Sequence, residues 1–123
     1  MGKKKILIID DEENFCNLVK KNVERTGEFE VCTATNGDDG VRMIKEIKPD
    51  LILLDIVMPG LDGGDVVSMI REDETIKDTP IVFLTSLVRK DEAGVGFTKG
   101  YSLLAKTVTL GELISCIKEN VRA

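Results

Sequence analysis

Residues 51–55 read Leu51-Ile52-Leu53-Leu54-Asp55, four apolar side chains without alternation, closed by a carboxylate. A strand with one wet face alternates apolar and polar residues, whereas an unbroken run is covered on both faces, as in a parallel sheet flanked by helices. Residues 6–9 repeat the pattern as Ile6-Leu7-Ile8-Ile9 before Asp10 and Asp11, and residues 81–84 repeat it before Thr85 and Ser86. The runs at 31–34 and 103–105 are more mixed, as expected of edge strands.

Between the runs lie segments with helical spacing. Phe15, Leu18, Val19 and Val23 form one stripe that ends near Gly27, and Val41, Ile44 and Ile47 form a second between Gly37 and Pro49. Val66, Val67 and Ile70 make a shorter third, with Asp62 as its cap. Leu110, Leu113, Ile114, Ile117 and Val121 line the last helix, opened by a capping box from Thr109 to Glu112. A helix over residues 87–98 is expected to be the loosest, because Gly94 and Gly96 each cost on the order of 1 kcal/mol relative to alanine. Strand and helix thus alternate five times, and right-handed crossovers predict an α/β, doubly wound, three-layer sandwich. The 123 residues suit one domain, and the last helix consumes the chain, so residues 1–123 are expected to form a single domain without an output domain.

Composition narrows the chemistry. With 22 acidic against 17 basic residues the net charge is -5, which weighs against direct nucleic-acid binding. There is no histidine, so imidazole bases, histidine triads and histidine metal ligands are excluded. Cys16, Cys32 and Cys116 are odd in number and far apart, matching neither a disulfide framework nor a paired-cysteine site, and read as reduced thiols of a cytoplasmic protein. Lys3 to Lys5 precede only four apolar residues, too few for a signal peptide, and no run is long enough to span a membrane.

The chemistry-bearing residues fall at strand ends. Asp10 and Asp11 follow the first run, Asp55 the third, Thr85 and Ser86 the fourth, and Lys106 the fifth. In open parallel sheets the ligand crevice lies outside the carboxyl ends, so strands one, three, four and five lying side by side would bring these residues into one pocket. Three crowded carboxylates repel unless a cation sits among them, and oxygen ligands with room for water and phosphate suit Mg²⁺. Lys106 then supplies charge for phosphoryl oxygens and Thr85 a hydroxyl, while a carboxylate can itself accept the phosphoryl group; Asp55, ending a central strand, is best placed for that. Each residue has a duller reading: Asp10 or Asp11 as a helix cap, Lys106 as a solvated charge, Thr85 as a turn residue. Their joint placement at strand ends favours the site.

On these motifs the chain resembles the receiver domains of two-component response regulators over essentially its whole length. The resemblance is carried by Asp10-Asp11, by Asp55-Ile56-Val57-Met58-Pro59-Gly60-Leu61-Asp62-Gly63, by Thr85-Ser86 and by Lys106. It implies a flavodoxin-like (βα)5 fold with strand order 2-1-3-4-5. It further implies that Asp55 takes a phosphoryl group from a phosphohistidine on a sensor histidine kinase or histidine phosphotransfer protein. Asp11, Asp55 and the backbone carbonyl of Val57 would bind Mg²⁺ directly and Asp10 through water, with Lys106 on the carboxylate and phosphoryl oxygens. Thr85 would move onto the phosphoryl group and bias the face made by the fourth helix, fifth strand and fifth helix, where a downstream protein target binds and family members pair as homodimers. Such a chain is a signalling domain, with no enzymatic activity beyond its own phosphorylation and dephosphorylation.

Two positions depart from the family pattern. Thr107 stands where proline usually follows the lysine, often after a cis bond; a cis bond before threonine costs about 2.5 to 4 kcal/mol, so the loop is either trans and rearranged or strained. Leu103 stands at the usual aromatic switch position, and Tyr101, two residues earlier, points to the same side by strand alternation. These departures support an alternative, a degenerate receiver acting as a phosphorylation-independent interaction module. Val57 and Leu87, two residues after Asp55 and Thr85, are apolar and cannot orient an attacking water, which predicts slow self-dephosphorylation. A haloacid-dehalogenase-like phosphatase would need its nucleophile directly after the first strand in an Asp-x-Asp arrangement. A flavodoxin-like FMN carrier would need a glycine- and hydroxyl-rich loop where residues 10–13 are all acidic.

Overall fold

The computed structural model describes residues 2–86, 95–98 and 101–122. Its strands are β1 (Lys4–Ile9), β2 (Phe29–Ala34), β3 (Leu51–Asp55), β4 (Ile81–Thr85), β5 (Val95–Thr98) and β6 (Tyr101–Ala105), and its helices α1 (Glu13–Glu24), α2 (Gly37–Ile47), α3 (Gly63–Glu72) and α4 (Leu110–Asn120). The sheet order is β2-β1-β3-β4-β6-β5. The first five of these run parallel, which is the expected order 2-1-3-4-5 with β6 as the fifth parallel strand.

Alternation along the central strands divides the core into two halves. Ile6, Ile8, Leu51 and Leu53 pack beneath α1 and α4 with Cys16, Val19, Val23, Leu113 and Ile117. Leu7, Ile9, Ile52 and Leu54 pack beneath α2 and α3 with Val41, Ile44, Val66 and Ile70. This is the physical meaning of the unbroken apolar runs: every residue of β3 is buried because each face has its own helical cover. Close approach on the second face requires glycine at position 40, where a Cβ would lie 2.6 Å from Ile9 Cδ1.

The expected helix over residues 87–98 is not observed at its end. Val95–Thr98 is a strand antiparallel to β6, paired from Val95↔Leu104 to Thr98↔Tyr101. The β-branched and aromatic residues Val95, Phe97 and Thr98 favour extended backbone, and Gly96 weakens the helix they would have had to form. The rest of that segment, residues 87–94, lies outside the described residues. For the same reason β6 is not an edge strand, since β5 covers its outer side; β2 is an edge, as expected.

Two stripe residues also differ from expectation. Leu18 and Leu110 are 58% and 45% exposed. The buried stripe of α1 is Cys16, Val19 and Val23, a narrow line at three- and four-residue spacing that leaves Leu18 on its rim, and Leu110 is the first residue of α4. Both expected caps are present. Asp62 and Asp65 close a capping box on α3, and Thr109 and Glu112 close one on α4. No described helix is long and apolar enough to cross a membrane.

Candidate functional site

Sheet register positions the site. Ile9 pairs with Leu54, so the next residues, Asp10 and Asp55, emerge side by side; Thr85 pairs with Ala105, so Lys106 follows one step beyond. Backbone bonds carry the alignment past the strand ends, with the amide of Asp10 donating to Ala34 O at 3.0 Å and that of Lys106 to Thr85 O at 2.9 Å. Asp11, Glu12, Asp55, Val57, Thr85, Ser86 and Lys106 line one open pocket there.

Asp10 is fully buried and Asp55 nearly so, whereas Asp11 is exposed. Asp10 Oδ1 accepts the Glu12 amide at 2.9 Å, which fixes the entry into α1. Lys106 Nζ lies 2.7 Å from Asp10 Oδ2, 2.6 Å from Glu12 Oε1 and 3.4 Å from Asp55 Oδ2, and 5.0 Å from the Phe15 ring centroid. Asp10 Oδ2 meets Lys106 as an ion pair and, buried, has no hydrogen-bond partner among the described residues. Asp55 Oδ1 accepts the Val57 amide at 3.3 Å.

The charges perturb one another. Burial, then the charge of Asp10, raises the Asp55 carboxyl from 3.8 to about 6, against the lowering effect of Lys106. Burial would lower the Lys106 ammonium, but its carboxylate partners, Asp10 and Glu12 foremost, outweigh burial and hold it above its ordinary value. Cys16, whose Sγ lies 3.3 Å from the Asp10 carbonyl oxygen, is raised to about 11 by burial and then by Asp10, so it stays a thiol. All three cysteines are free.

A divalent cation fits this arrangement. Ligand oxygens of Asp10, Asp11 and Asp55 lie within 4.8 Å of one another, and the donorless buried oxygen of Asp10 is the kind of atom a hard cation satisfies.

The expected residues at the strand ends lie together at this end of the sheet, whereas Tyr101, the first residue of β6, stands at the opposite end and Leu103 midway. Asp10, Asp11, Asp55, Val57, Thr85 and Lys106 come together, and Thr85 is half-buried. Leu87 lies outside the described residues. The Lys106–Thr107 bond is trans, as no described peptide bond is cis, and the ammonium still reaches both buried carboxylates. Tyr101 and Leu103 share one face, as alternation predicts, and both pack on the α2–α3 half of the core. Tyr101 is held there: its ring meets Phe83 edge-on at 5.4 Å, and its hydroxyl accepts from Arg71 Nε at 2.9 Å. Glu12 is the residue sequence reasoning passed over, although the unbroken acidic run 10–13 placed a fourth carboxylate within reach.

The geometry agrees with comparison to known proteins. The family profile of the response regulator receiver domain matches residues 6–118. The alkaline phosphatase synthesis transcriptional regulatory protein PhoP of Bacillus subtilis is 42% identical over 89 residues, covering 72% of this chain and 35% of that protein. The DNA-binding dual master transcriptional regulator RpaA of Synechocystis is 34% identical over 119 residues, 96% of this chain and 49% of that one. The chain therefore spans about a third to a half of the curated relatives it matches. Among solved structures, chemotaxis protein CheY4 of Vibrio cholerae superposes with a TM-score of 0.81 at 24% identity, covering 96% of this chain and 98% of that one, a likeness of fold. With its strand order, its acidic pocket and a profile match along nearly its whole length, this chain belongs to the response regulator receiver domains, the signalling domains of two-component systems.

Proposed function

We propose that residues 1–123 act as one phosphoacceptor unit in which Asp55 takes a phosphoryl group from a histidine kinase or a histidine phosphotransfer protein. The observation that carries this reading is the clamp of Lys106 Nζ on the buried carboxylates of Asp10 and Asp55, beside Asp11 and Thr85. Asp55 offers the nucleophilic oxygen, and its Oδ1 is steadied by the Val57 amide. Lys106 neutralises charge that develops on the phosphoryl oxygens, and the Thr85 hydroxyl at the end of β4 bonds the group once it has arrived. Asp11, Asp55 and the Val57 carbonyl, with Asp10 beside them, would hold Mg²⁺, and the ion would supply charge neutralisation at the phosphoryl oxygens.

These 123 residues contain no histidine, so the phosphoryl group comes from a donor outside them. Movement of Thr85 is read out through the expected fifth strand and fifth helix, here β6 and α4, with Leu103 and Tyr101 on the face beside Phe83, and that surface meets the downstream protein target or a second copy; the fourth helix expected to complete it falls on residues 87–98, of which 87–94 lie outside the described residues and Val95–Thr98 form β5. The free thiols and the chain's acidic balance support work in the cytoplasm without direct nucleic-acid contact.

The test is intact mass after incubation with acetyl phosphate and Mg²⁺, beside Asp55→Asn. One phosphoryl group gained by the wild type, and lost without Mg²⁺ or in the variant, is the expected result. A folded wild type that gains none, and that binds no beryllofluoride, would instead be a degenerate receiver.

A further inference from the structure

The Lys106 ammonium has three N–H bonds and, among the described residues, three carboxylate neighbours. Two of these are fixed. Asp10 and Asp55 are buried at the ends of β1 and β3, and Asp10 is further tied to the start of α1 through the Glu12 amide. Glu12 is different: its Oε1 makes the closest contact, 2.6 Å, yet its side chain is 58% exposed and stands on the wall of the same pocket. Lys106 is nearly buried, but water reaches the pair from the Glu12 side, and a carboxylate solvated in this way exchanges for water or another anion more readily than the two buried ones. A phosphoryl oxygen that reaches Lys106 from the open pocket competes first with Glu12, the exposed one of the three and the one free to leave.

We propose that Glu12 holds the place of a phosphoryl oxygen on Lys106 in the resting protein, and that this contact makes it a specificity-determining residue that disfavours freely diffusing anionic phosphodonors. A donor carried on a docked protein arrives at high effective concentration and displaces Glu12 easily, whereas a free dianion must overcome both the occupied ammonium and the carboxylate charge. The inference rests on the reading of Asp55 as the phosphoacceptor. With acetyl phosphate, the bond between phosphorus and the acetyl oxygen breaks, acetate leaves with the bonding pair, and an Asp55 oxygen lone pair forms the new bond to phosphorus.

The experiment compares wild type, Glu12→Gln and Glu12→Asp with acetyl phosphate and with phosphoramidate, which carries less negative charge. Glu12→Gln should react about three- to tenfold faster with acetyl phosphate, gain less with phosphoramidate, and lose most of its advantage in about 1 M salt, where an exposed charge is screened. Glu12→Asp keeps the charge but shortens the reach, and should fall between the other two. A second readout needs no phosphorylation: the 15N-detected Lys106 ammonium should exchange its protons slowly in wild type and faster in both variants. Unchanged rates, equal gains for the two donors, a gain that ignores salt, or an unaltered ammonium would each overturn the proposal. A wild type that gains no phosphoryl group refutes the phosphoacceptor reading instead, and the ammonium exchange then decides the Glu12 contact by itself.

Discussion

Asp55→Asn should make the protein more stable at neutral pH in the absence of divalent cations. In the fold, burial and the neighbouring Asp10 charge raise the Asp55 carboxyl from 3.8 to about 6, so its protonated form suits the structure better than its ionised form. The difference, about 2 pKa units, corresponds to roughly 3 kcal/mol against the ionised side chain, and screening through the open pocket trims this to about 2 kcal/mol. Asparagine resembles the neutral form and removes that cost. The sign follows from linkage: the ionised carboxyl burdens the wild type fully above about pH 6, less as the pH falls, and not at all below the unfolded value near 3.8. Urea unfolding followed by circular dichroism in chelator should therefore show the variant ahead by about 2 kcal/mol at about pH 7.5, and the gap closing at about pH 4. In a thermal melt the neutral-pH gain amounts to roughly 5 to 10 °C. A variant equal to or weaker than wild type at neutral pH would refute the reasoning, for it would mean that Lys106 compensates the two buried charges completely.

Mg²⁺ should reverse the order by stabilising the wild type, by about 2.7 kcal/mol at a hundred times its dissociation constant, and Asp11→Asn should abolish most of that gain in a melt with and without the ion. Gly63→Ala should cost about 1 to 3 kcal/mol in urea unfolding, since a Cβ there would lie 2.9 Å from the backbone oxygen of Asp55 and 3.1 Å from Ile56 Cα, atoms with no freedom to retreat. Polar replacements at Val57, 70% exposed beside Asp55, and at Leu87 should together shorten the life of the aspartyl phosphate by about tenfold or more, read by intact mass after removal of donor; an unchanged lifetime would count against an unaided attacking water.

Much of this molecule was legible in its sequence because its determinants are local. The unbroken runs at 6–9, 51–54 and 81–84 read correctly as doubly covered parallel strands, and the caps at Asp62 and Thr109 were visible as spaced residues. The pocket followed from one rule, that parallel strands in register deliver their carboxyl ends together. Where reading failed, the deciding partner was distant. Whether Val95 to Thr98 coil or extend depends on an edge of β6 being available, which no window of residues reveals. Leu18 and Leu110 carry the right period but lie beyond the area that the sheet can cover. The Glu12–Lys106 contact joins residues 94 positions apart, and only the assembled sheet shows that the acidic run faces the lysine.

The anchoring of Tyr101 has a practical consequence. The chain has one tyrosine and no tryptophan, so emission excited beyond the phenylalanine band comes from a single ring, set edge-on against Phe83 of β4 and hydrogen-bonded to the guanidinium of Arg71 in α3. That ring lies two residues before Leu103 on the strand that leads to Lys106, and it bridges the parallel sheet to a flanking helix. The protein therefore carries an intrinsic optical probe of the strand that joins its pocket to its outer surface, and any rearrangement of β6 against α3 becomes readable in the unlabelled, unmutated chain.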